Sequence, residues 1–384
     1  VKPAFYQKLR IGVLGGGQLG RMLLPPAQRF GVQLGFLDPD PAAPVASLGA
    51  PLTRGDFRSA EDVLRFGRQH DLVTLEIENV STEALAQLVA EGIEVYPQPQ
   101  VVALIQDKGA QKEFYTQHGI PTAAYRLVSG IGDLRASPPT YPSILKLRRG
   151  GYDGRGVIRL TEPADLDRAA AKGFDAPCVL EALVPIRQEI AVIVARNVHG
   201  QVVAYPPVEM AFHATAHLVD YLFCPAHLDS KGIRGVQLAA VRVAEALGIV
   251  GLLAVELFID ENGEVLVNEI APRPHNSGHA TIEANVTSQY EQHLRAILGL
   301  PLGSPALRTP AVMLNLLGEE GHSGPARIEG IEQALAQPGV HFHWYGKAET
   351  RPLRKMGHVT ITDASLEAAI QKAYLVRRLL RVVP

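Results

Sequence analysis

The sequence predicts an α/β protein, with an N-terminal Rossmann-like parallel-sheet domain followed by α+β domains built on antiparallel strand pairs. Three observations carry this expectation. At 384 residues the chain is too long for one ordinary core, so two or three domains are expected. From residue 10 to about 100, short apolar segments alternate with helical ones, the pattern of a parallel sheet with crossover helices. Beyond residue 107 the alternation gives way to apolar segments paired through glycine-rich turns.

Taken in order, "IGVLG", "VQLGFLD", "DLVTLEI" and "GIEVYP" read as strands, and "SAEDVLRFGRQH" and "STEALAQLVAEG" as helices, the second capped by Ser81 or Thr82. The first strand runs into Gly15-Gly16-Gly17-Gln18-Leu19-Gly20, the G-x-G-x-x-G spacing of a dinucleotide-binding turn. Asp38 lies 18 residues after Gly20, where such a site holds its ribose acid, so an NAD(P)-dependent oxidoreductase is one reading. Pro25 and Pro26 predict that the helix after Gly20 is kinked or short. Asp107 opens a helix that closes at Gly119. "SILKLRRGGYDGRGVIRL" reads as a hairpin with a glycine-rich tip, and "CVLEALVPIRQEIAVIVAR" as two strands. A helix, "GVQLAAVRVAEALG", precedes the strands "GLLAVELFID" and "GEVLVNEIAP". Ser288 and Glu291 form a capping box for "QYEQHLRAILG". After a boundary near 305–320, "HFHWYG" and "GHVTITD" are the strands of a small tail.

The net charge of −2 provides no global field for nucleic acid or an anionic membrane. No apolar run reaches the roughly 18 residues of a membrane span, and "VKPAFYQKLR" lacks the apolar core of a signal peptide. Cys178 and Cys224 have no C-x-x-C neighbours and are expected to be reduced thiols of a cytoplasmic protein.

Three constellations carry chemistry. If Asn262-Gly263 is a two-residue hairpin loop, Glu261 faces Glu264 and Glu256 stands directly opposite Glu269. Opposed carboxylates repel, and a hard divalent cation with nucleotide phosphates would relieve them, which points to Mg²⁺. The second is the loop Arg149 to Gly156, fed by a strand carrying Lys146, with Arg148 and Arg149 at its mouth. Its glycines let backbone N–H groups approach phosphate oxygens, and it is not a Walker loop because no G-K-[ST] follows. The third, "APRPHNSGH", sets Arg273, His275, Asn276 and His279 beside the carboxylate pair, donors suited to a developing charge. Arg351, Arg354 and Lys355 in "RPLRKMGH" read, on their own, as a solvated basic turn.

Together, "GGGQLGRM", "RRGGYDGRG", "NEIAPRPHNSGH" and "RPLRKMGH" resemble the N5-carboxyaminoimidazole ribonucleotide synthetase family of the ATP-grasp superfamily, in order and across essentially the whole chain. The resemblance implies a pre-ATP-grasp α/β domain over residues 1–106, an ATP-grasp lid over 107–181, a metal and nucleotide portion over 182–318 and a small domain over 319–384 closing the substrate site. It implies a homodimeric ligase of purine biosynthesis that uses ATP to carboxylate 5-aminoimidazole ribonucleotide with bicarbonate through carboxyphosphate. By resemblance, Glu256 and Glu269 hold Mg²⁺, and Lys108 and Lys146 contact ATP phosphates under the lid of Gly151, Gly154, Gly156 and Val157. Glu181, Ala182, Leu183 and Val184 match the adenine hinge, Glu189 the acceptor of the ribose hydroxyls, and Asn268 and His213 (or His217, in a segment about two residues longer than the pattern) further ATP contacts. Tyr152, Asp153, Arg155, Arg273, His275 and Asn276 match catalytic positions, with Asp153 and His275 both open as the base. Gln18, Leu19, Glu76, Arg354 and Lys355 match contacts to the imidazole ribonucleotide. Another ATP-grasp ligase, such as a formate-dependent phosphoribosylglycinamide transformylase or a biotin carboxylase, is the nearer rival.

Overall fold

A computed structural model describes residues 9–151, 156–212 and 219–384. The N-terminal part is a five-stranded sheet, all parallel, in the order Leu52–Arg54, Gln33–Asp38, Arg10–Leu14, Leu72–Leu75 and Glu94–Val95. Its strands read as near-continuous apolar runs because helices cover both faces, and Val13, Leu14, Phe36 and Leu37 are fully buried. The Leu52–Arg54 strand was not predicted; at three residues it is too short to show a period. Arg10–Leu14 lies between strands reached by crossovers in opposite directions, so a crevice opens at the carboxyl ends of Arg10–Leu14 and Leu72–Leu75. Gly15 to Gly17 and Glu76 to Glu78 leave the sheet there.

The first helix is not short. Gln18–Phe30 runs 13 residues through both Pro25 and Pro26 and stops only at Gly31, which takes the left-handed conformation. Each proline lacks an N–H for the carbonyl four residues back, yet packing holds the helix: Leu19, Met22 and Leu23 join a core with Tyr290, Leu294 and Tyr345. That core docks the first helix against the distant helix Gln289–Ile297. Ser81 and Asp107 cap their helices as predicted, and Ser59 caps a third, each accepting a backbone N–H in the first turn.

A four-stranded antiparallel sheet follows, ordered Tyr125–Val128, Cys178–Ala182, Ser143–Leu147 and Val157–Leu160. The last two form the expected glycine-tipped hairpin. The largest sheet has nine strands, with Val265–Ala271, Gly251–Asp260 and Ile186–Arg196 at one end and Lys355–Thr362 and Val340–Trp344 at the other. Ala311–Leu317, absent from the sequence reading, pairs with Val219–Cys224 and Lys355–Thr362, so this sheet runs on across residue 318. The helix Ser230–Leu247 begins at its Asp229 cap, five residues before the predicted start, because Gly232 and Gly235 hide its first turns from a propensity reading. Phe114 and Tyr115 pack with Val192, Leu253 and Val255, which fixes the helix Lys108–Gln117 over the large sheet. Cys178 and Cys224 are buried free thiols.

The hairpin between Gly251–Asp260 and Val265–Ala271 corrects the loop expected from Asn262-Gly263. Asp260 N–H donates to the Glu264 carbonyl and Gly263 N–H to the Asp260 carbonyl, both at 3.0 Å, closing a three-residue loop, Glu261 to Gly263, with Gly263 at φ +83°. The strands then pair as Ile259–Val265, Phe258–Leu266 and Leu257–Val267, one residue off the expected register. A bulge at Asn268 restores it, and Glu256 does stand opposite Glu269.

Candidate active site

At the crevice the opening glycines hold a carboxylate of the chain itself. The two oxygens of Glu76 accept from Gly17 and Gly20 N–H, both at 2.5 Å, and Asp38 Oδ2 accepts from Gly16 N–H at 2.8 Å. A helix N-terminus of this kind favours an anion, and the anion present is Glu76. Glycine is needed for this approach: a Cβ on Gly15 would lie 2.6 Å from Glu76 Cγ, and one on Gly17 2.5 Å from Oε1. Burial raises the Glu76 carboxyl above the usual range, with the two backbone donors opposing it. Asp38, the ribose acid of the dinucleotide reading, is turned inward to Gly16 and Asp40 N–H. Gln18 is half-buried at the loop's end, and Leu19 is in the core.

Two residues beyond Glu76, Glu78 takes Arg273 in a fork, Nε on Oε2 and an Nη on Oε1. Burial would raise Glu78, but the Arg273 guanidinium overrides it and holds the carboxyl below its usual range. The sequence reading missed Glu78, although its spacing from Glu76 at a strand's carboxyl end was a usable signal. His275 follows: its Nδ1 accepts from Ser277 N–H at 3.3 Å, leaving Nε2 to carry the hydrogen, 3.5 Å from Glu256 Oε1. Burial and the nearby Arg273 and Lys355 charges push His275 down to about 3, so it stays neutral. Asn276 Oδ1 is buried with no hydrogen-bond partner among the described residues.

The bulge decides the third cluster. With one extra residue in the strand, Asn268 and Glu269 both reach the cleft instead of alternating across it. Lys146 Nζ donates to Asn268 Oδ1 at 2.9 Å, and Lys108 Nζ is bonded to Glu269 Oε2. The Lys108 charge holds Glu269 below the ordinary carboxylate range against the effect of burial, although 41% of its side chain is open to the cleft. Glu256 is driven up by burial, then by Glu269 and Glu189. Glu189 is itself raised by burial, to about 7, against the pull of Lys146. These are hard oxygen donors whose repulsion Lys108 relieves on one side only, so they fit a divalent cation such as Mg²⁺. Among the described residues no group of three or more His, Cys, Asp or Glu side chains could hold a metal, so other oxygens must complete the sphere.

Behind this row, Glu181 is buried between Lys146 at 2.9 Å and Lys112 at 3.0 Å. Its side chain is therefore engaged in the floor of the cleft, and Lys112, one turn after Lys108, went unnoticed in the sequence. Ala182 and Leu183 are exposed at that strand's end, and Val184 is half-buried. Arg148 and Arg149 turn away from the glycine loop to Asp107, at 2.8 and 3.4 Å. Gly151, Gly156 and the exposed Val157 flank the loop, with Gly156 at φ +76°. Tyr152, Asp153, Gly154, Arg155, His213 and His217 lie outside the described residues. Arg354 donates to the Glu349 carbonyl at 2.7 Å, while Lys355 lies near enough for its charge to act on His275 and Glu256.

Known proteins share this fold. Residues 8–106 match the family model of the ribonucleotide synthetase preATP-grasp domain, 113–290 that of the ATP-grasp domain, and 311–372 that of the phosphoribosylaminoimidazole carboxylase C-terminal domain. The chain is 38% identical to the chloroplastic phosphoribosylaminoimidazole carboxylase of Vigna aconitifolia, over 93% of its own length and 65% of that protein's. It superposes on N5-carboxyaminoimidazole ribonucleotide synthetase from Thermotoga maritima with a TM-score of 0.89 and 42% identity, covering 98% of this chain and 99% of that one. The N5-carboxyaminoimidazole synthase of Aspergillus clavatus in complex with ADP and 5-aminoimidazole ribonucleotide gives 0.89 and 33% identity over 98% and 99%.

Proposed function

The chain belongs to the N5-carboxyaminoimidazole ribonucleotide synthetase family of ATP-grasp ligases, and from that premise we propose that it carboxylates 5-aminoimidazole ribonucleotide with bicarbonate at the expense of ATP. The products are N5-carboxyaminoimidazole ribonucleotide, ADP and phosphate, a step of purine biosynthesis. The observation that carries the reading is the cleft row of Glu256, Asn268 and Glu269 with Lys108 and Lys146 upon it, facing the crevice of Glu76, Glu78, Arg273 and His275.

Mg²⁺ would be held by Glu256 and Glu269 with phosphate oxygens, and bound there it would neutralise charge on the triphosphate. The chain supplies the rest. Lys108 and Lys146 exchange their carboxylate and amide partners for phosphate oxygens, while Glu181 holds Lys146 from behind. Ala182, Leu183 and Val184 offer an apolar strand end to adenine, and Glu189 accepts the ribose hydroxyls. Closure of the Gly151 to Val157 hairpin excludes water, which would otherwise hydrolyse carboxyphosphate. Arg273, fixed by Glu78, and the Nε2–H of His275 bind the bicarbonate oxygens and the charge that develops on them. Asn276 stands beside them, near bicarbonate and the imidazole ribonucleotide. Gln18, Glu76, Arg354 and Lys355 bind the ribonucleotide at the crevice. The domain boundaries we adopt are those of the sequence reading, with the 319–384 portion sharing the large sheet. No helix among the described residues is long and apolar enough to cross a membrane, and a cytoplasmic homodimer completes the reading.

The test is ADP release that requires both Mg²⁺ and aminoimidazole ribonucleotide, with labelled bicarbonate entering an acid-labile product. ATP turnover with glycinamide ribonucleotide and formate, and none with aminoimidazole ribonucleotide, would overturn the assignment.

A further inference from the structure

A residue 14 positions beyond His275 holds that histidine's backbone at both ends. Gln289 is fully buried; its Oε1 accepts from His275 N–H at 2.9 Å and its Nε2 donates to the His275 carbonyl at 2.8 Å. The side-chain amide thus serves the two peptide groups flanking one residue as a neighbouring strand would, satisfying donor and acceptor together. Two further ties surround it. Gln289 N–H donates to Thr281 Oγ1 at 2.9 Å, and that hydroxyl donates to the Gly278 carbonyl at 2.5 Å. Tyr290 OH meets His279 Nδ1 at 2.9 Å, with Gln289 Nε2 3.4 Å from the same nitrogen. Gly278 makes room, since a Cβ there would lie 2.4 Å from Gln289 Oε1.

The helix that begins with Gln289 packs against the strand carrying Glu256. The imidazole of His275 and the carboxylate 3.5 Å from it therefore take their positions from one rigid element. Prolines 272 and 274 stiffen the chain before His275, but no helix or strand includes His275 itself, so its precise placement needs an outside hold. We propose that Gln289 is a positioning residue for the reaction, one that sets His275 against Glu256 and the bicarbonate site without touching substrate. The inference rests on the role given above to His275.

Gln289→Met keeps the volume and removes both bonds. It is expected to lower kcat for aminoimidazole-dependent ADP release by about 10- to 100-fold, as misplacement of a reacting group by about 1 Å does, with KM for ATP moving less than about 3-fold. Gln289→Glu keeps the acceptor for His275 N–H and loses the donor, so its kcat should fall between the two. The deciding measurement is a double-mutant cycle with His275→Ala, in which Gln289→Met should cost less than about 3-fold more. Losses that multiply in full, or either single variant at wild-type kcat, would overturn the proposal. Mg-ADP binding and the thermal midpoint of each variant report the fold. A wild-type enzyme inert toward aminoimidazole ribonucleotide would instead sink the functional reading, and the cycle would then be read on the acceptor that does turn over.

Discussion

Two carboxylate sites in this molecule face one cleft and differ in what the chain supplies around them. Glu76 sits on a helix N-terminus, where two backbone N–H groups and a glycine-lined niche receive it. Glu256 and Glu269 stand opposite each other, with Lys108 bonded to Glu269. Glu76 is buried, while 41% of the Glu269 side chain is open to the cleft. The partners differ as well: the first carboxylate has its donors from the fold, and the second pair has Lys108 on Glu269 and His275 3.5 Å from Glu256. On the function proposed above, the nucleotide and its metal belong at the second site: the opening glycines show the phosphate-binding pattern, and the opposed carboxylates are the pair left for a cation.

The comparison can be broken at either site. The largest effect is expected from Glu269→Gln, which should cost on the order of 100-fold or more in ADP formation while the thermal midpoint stays near wild type. Unchanged turnover would remove the opposed pair from the account. Next is Arg273→Lys, which keeps the charge but loses the fork on Glu78; we expect kcat to fall about 10- to 100-fold, with the ATP KM steady. Glu76→Gln should act mainly on stability, because the new NH₂ faces a backbone N–H and leaves a buried donor unpaired. The loss is about 1–3 kcal/mol in denaturant unfolding, with a raised KM for the ribonucleotide and an unchanged KM for ATP. A tenfold rise in the ATP KM would erase the contrast between the sites.

The smallest effect near neutrality is electrostatic. Burial pushes His293, bonded to Thr74, down to about 4 from its ordinary 6.5. The unfolded chain therefore takes up this proton first as the pH falls. The contribution is fully present above pH 6.5 and is lost as the pH falls toward 4, with a limiting slope of about 1.4 kcal/mol per pH unit. At pH 7 only about 0.2 kcal/mol should be missing, and at pH 6 about 0.8 kcal/mol. His293→Asn should flatten the difference between unfolding curves at pH 5 and pH 7, and an unaltered difference would contradict the assignment.

The parallel sheet was legible because short, largely apolar strands alternate with helices, two of which start at a serine cap, Ser59 and Ser81. Ala311–Leu317 was missed because, inside an antiparallel sheet, it lacks the alternation that marks a half-exposed strand: four of its first residues are buried in succession. The helix through Pro25-Pro26 shows tertiary packing overriding local propensity. The opposition of Glu256 and Glu269 was reached through a loop that does not exist as drawn. The three-residue turn moved the register by one and the bulge at Asn268 moved it back, and neither leaves a mark in composition. Glu291 completed only half of its expected capping box: Ser288 accepts from Glu291 N–H, while the Glu291 carboxylate turns to Arg29 and Arg295. Gln289 gave no signal, because a glutamine at the start of a helix looks like surface.

The contrast between the two carboxylate sites is tested most directly by calorimetric titration of ADP, with and without Mg²⁺, into the wild type, Glu76→Gln and Glu269→Gln. The account predicts that Mg²⁺ tightens ADP binding in the wild type and in Glu76→Gln and has no such effect in Glu269→Gln. Tightening that survives in Glu269→Gln and disappears in Glu76→Gln would contradict it.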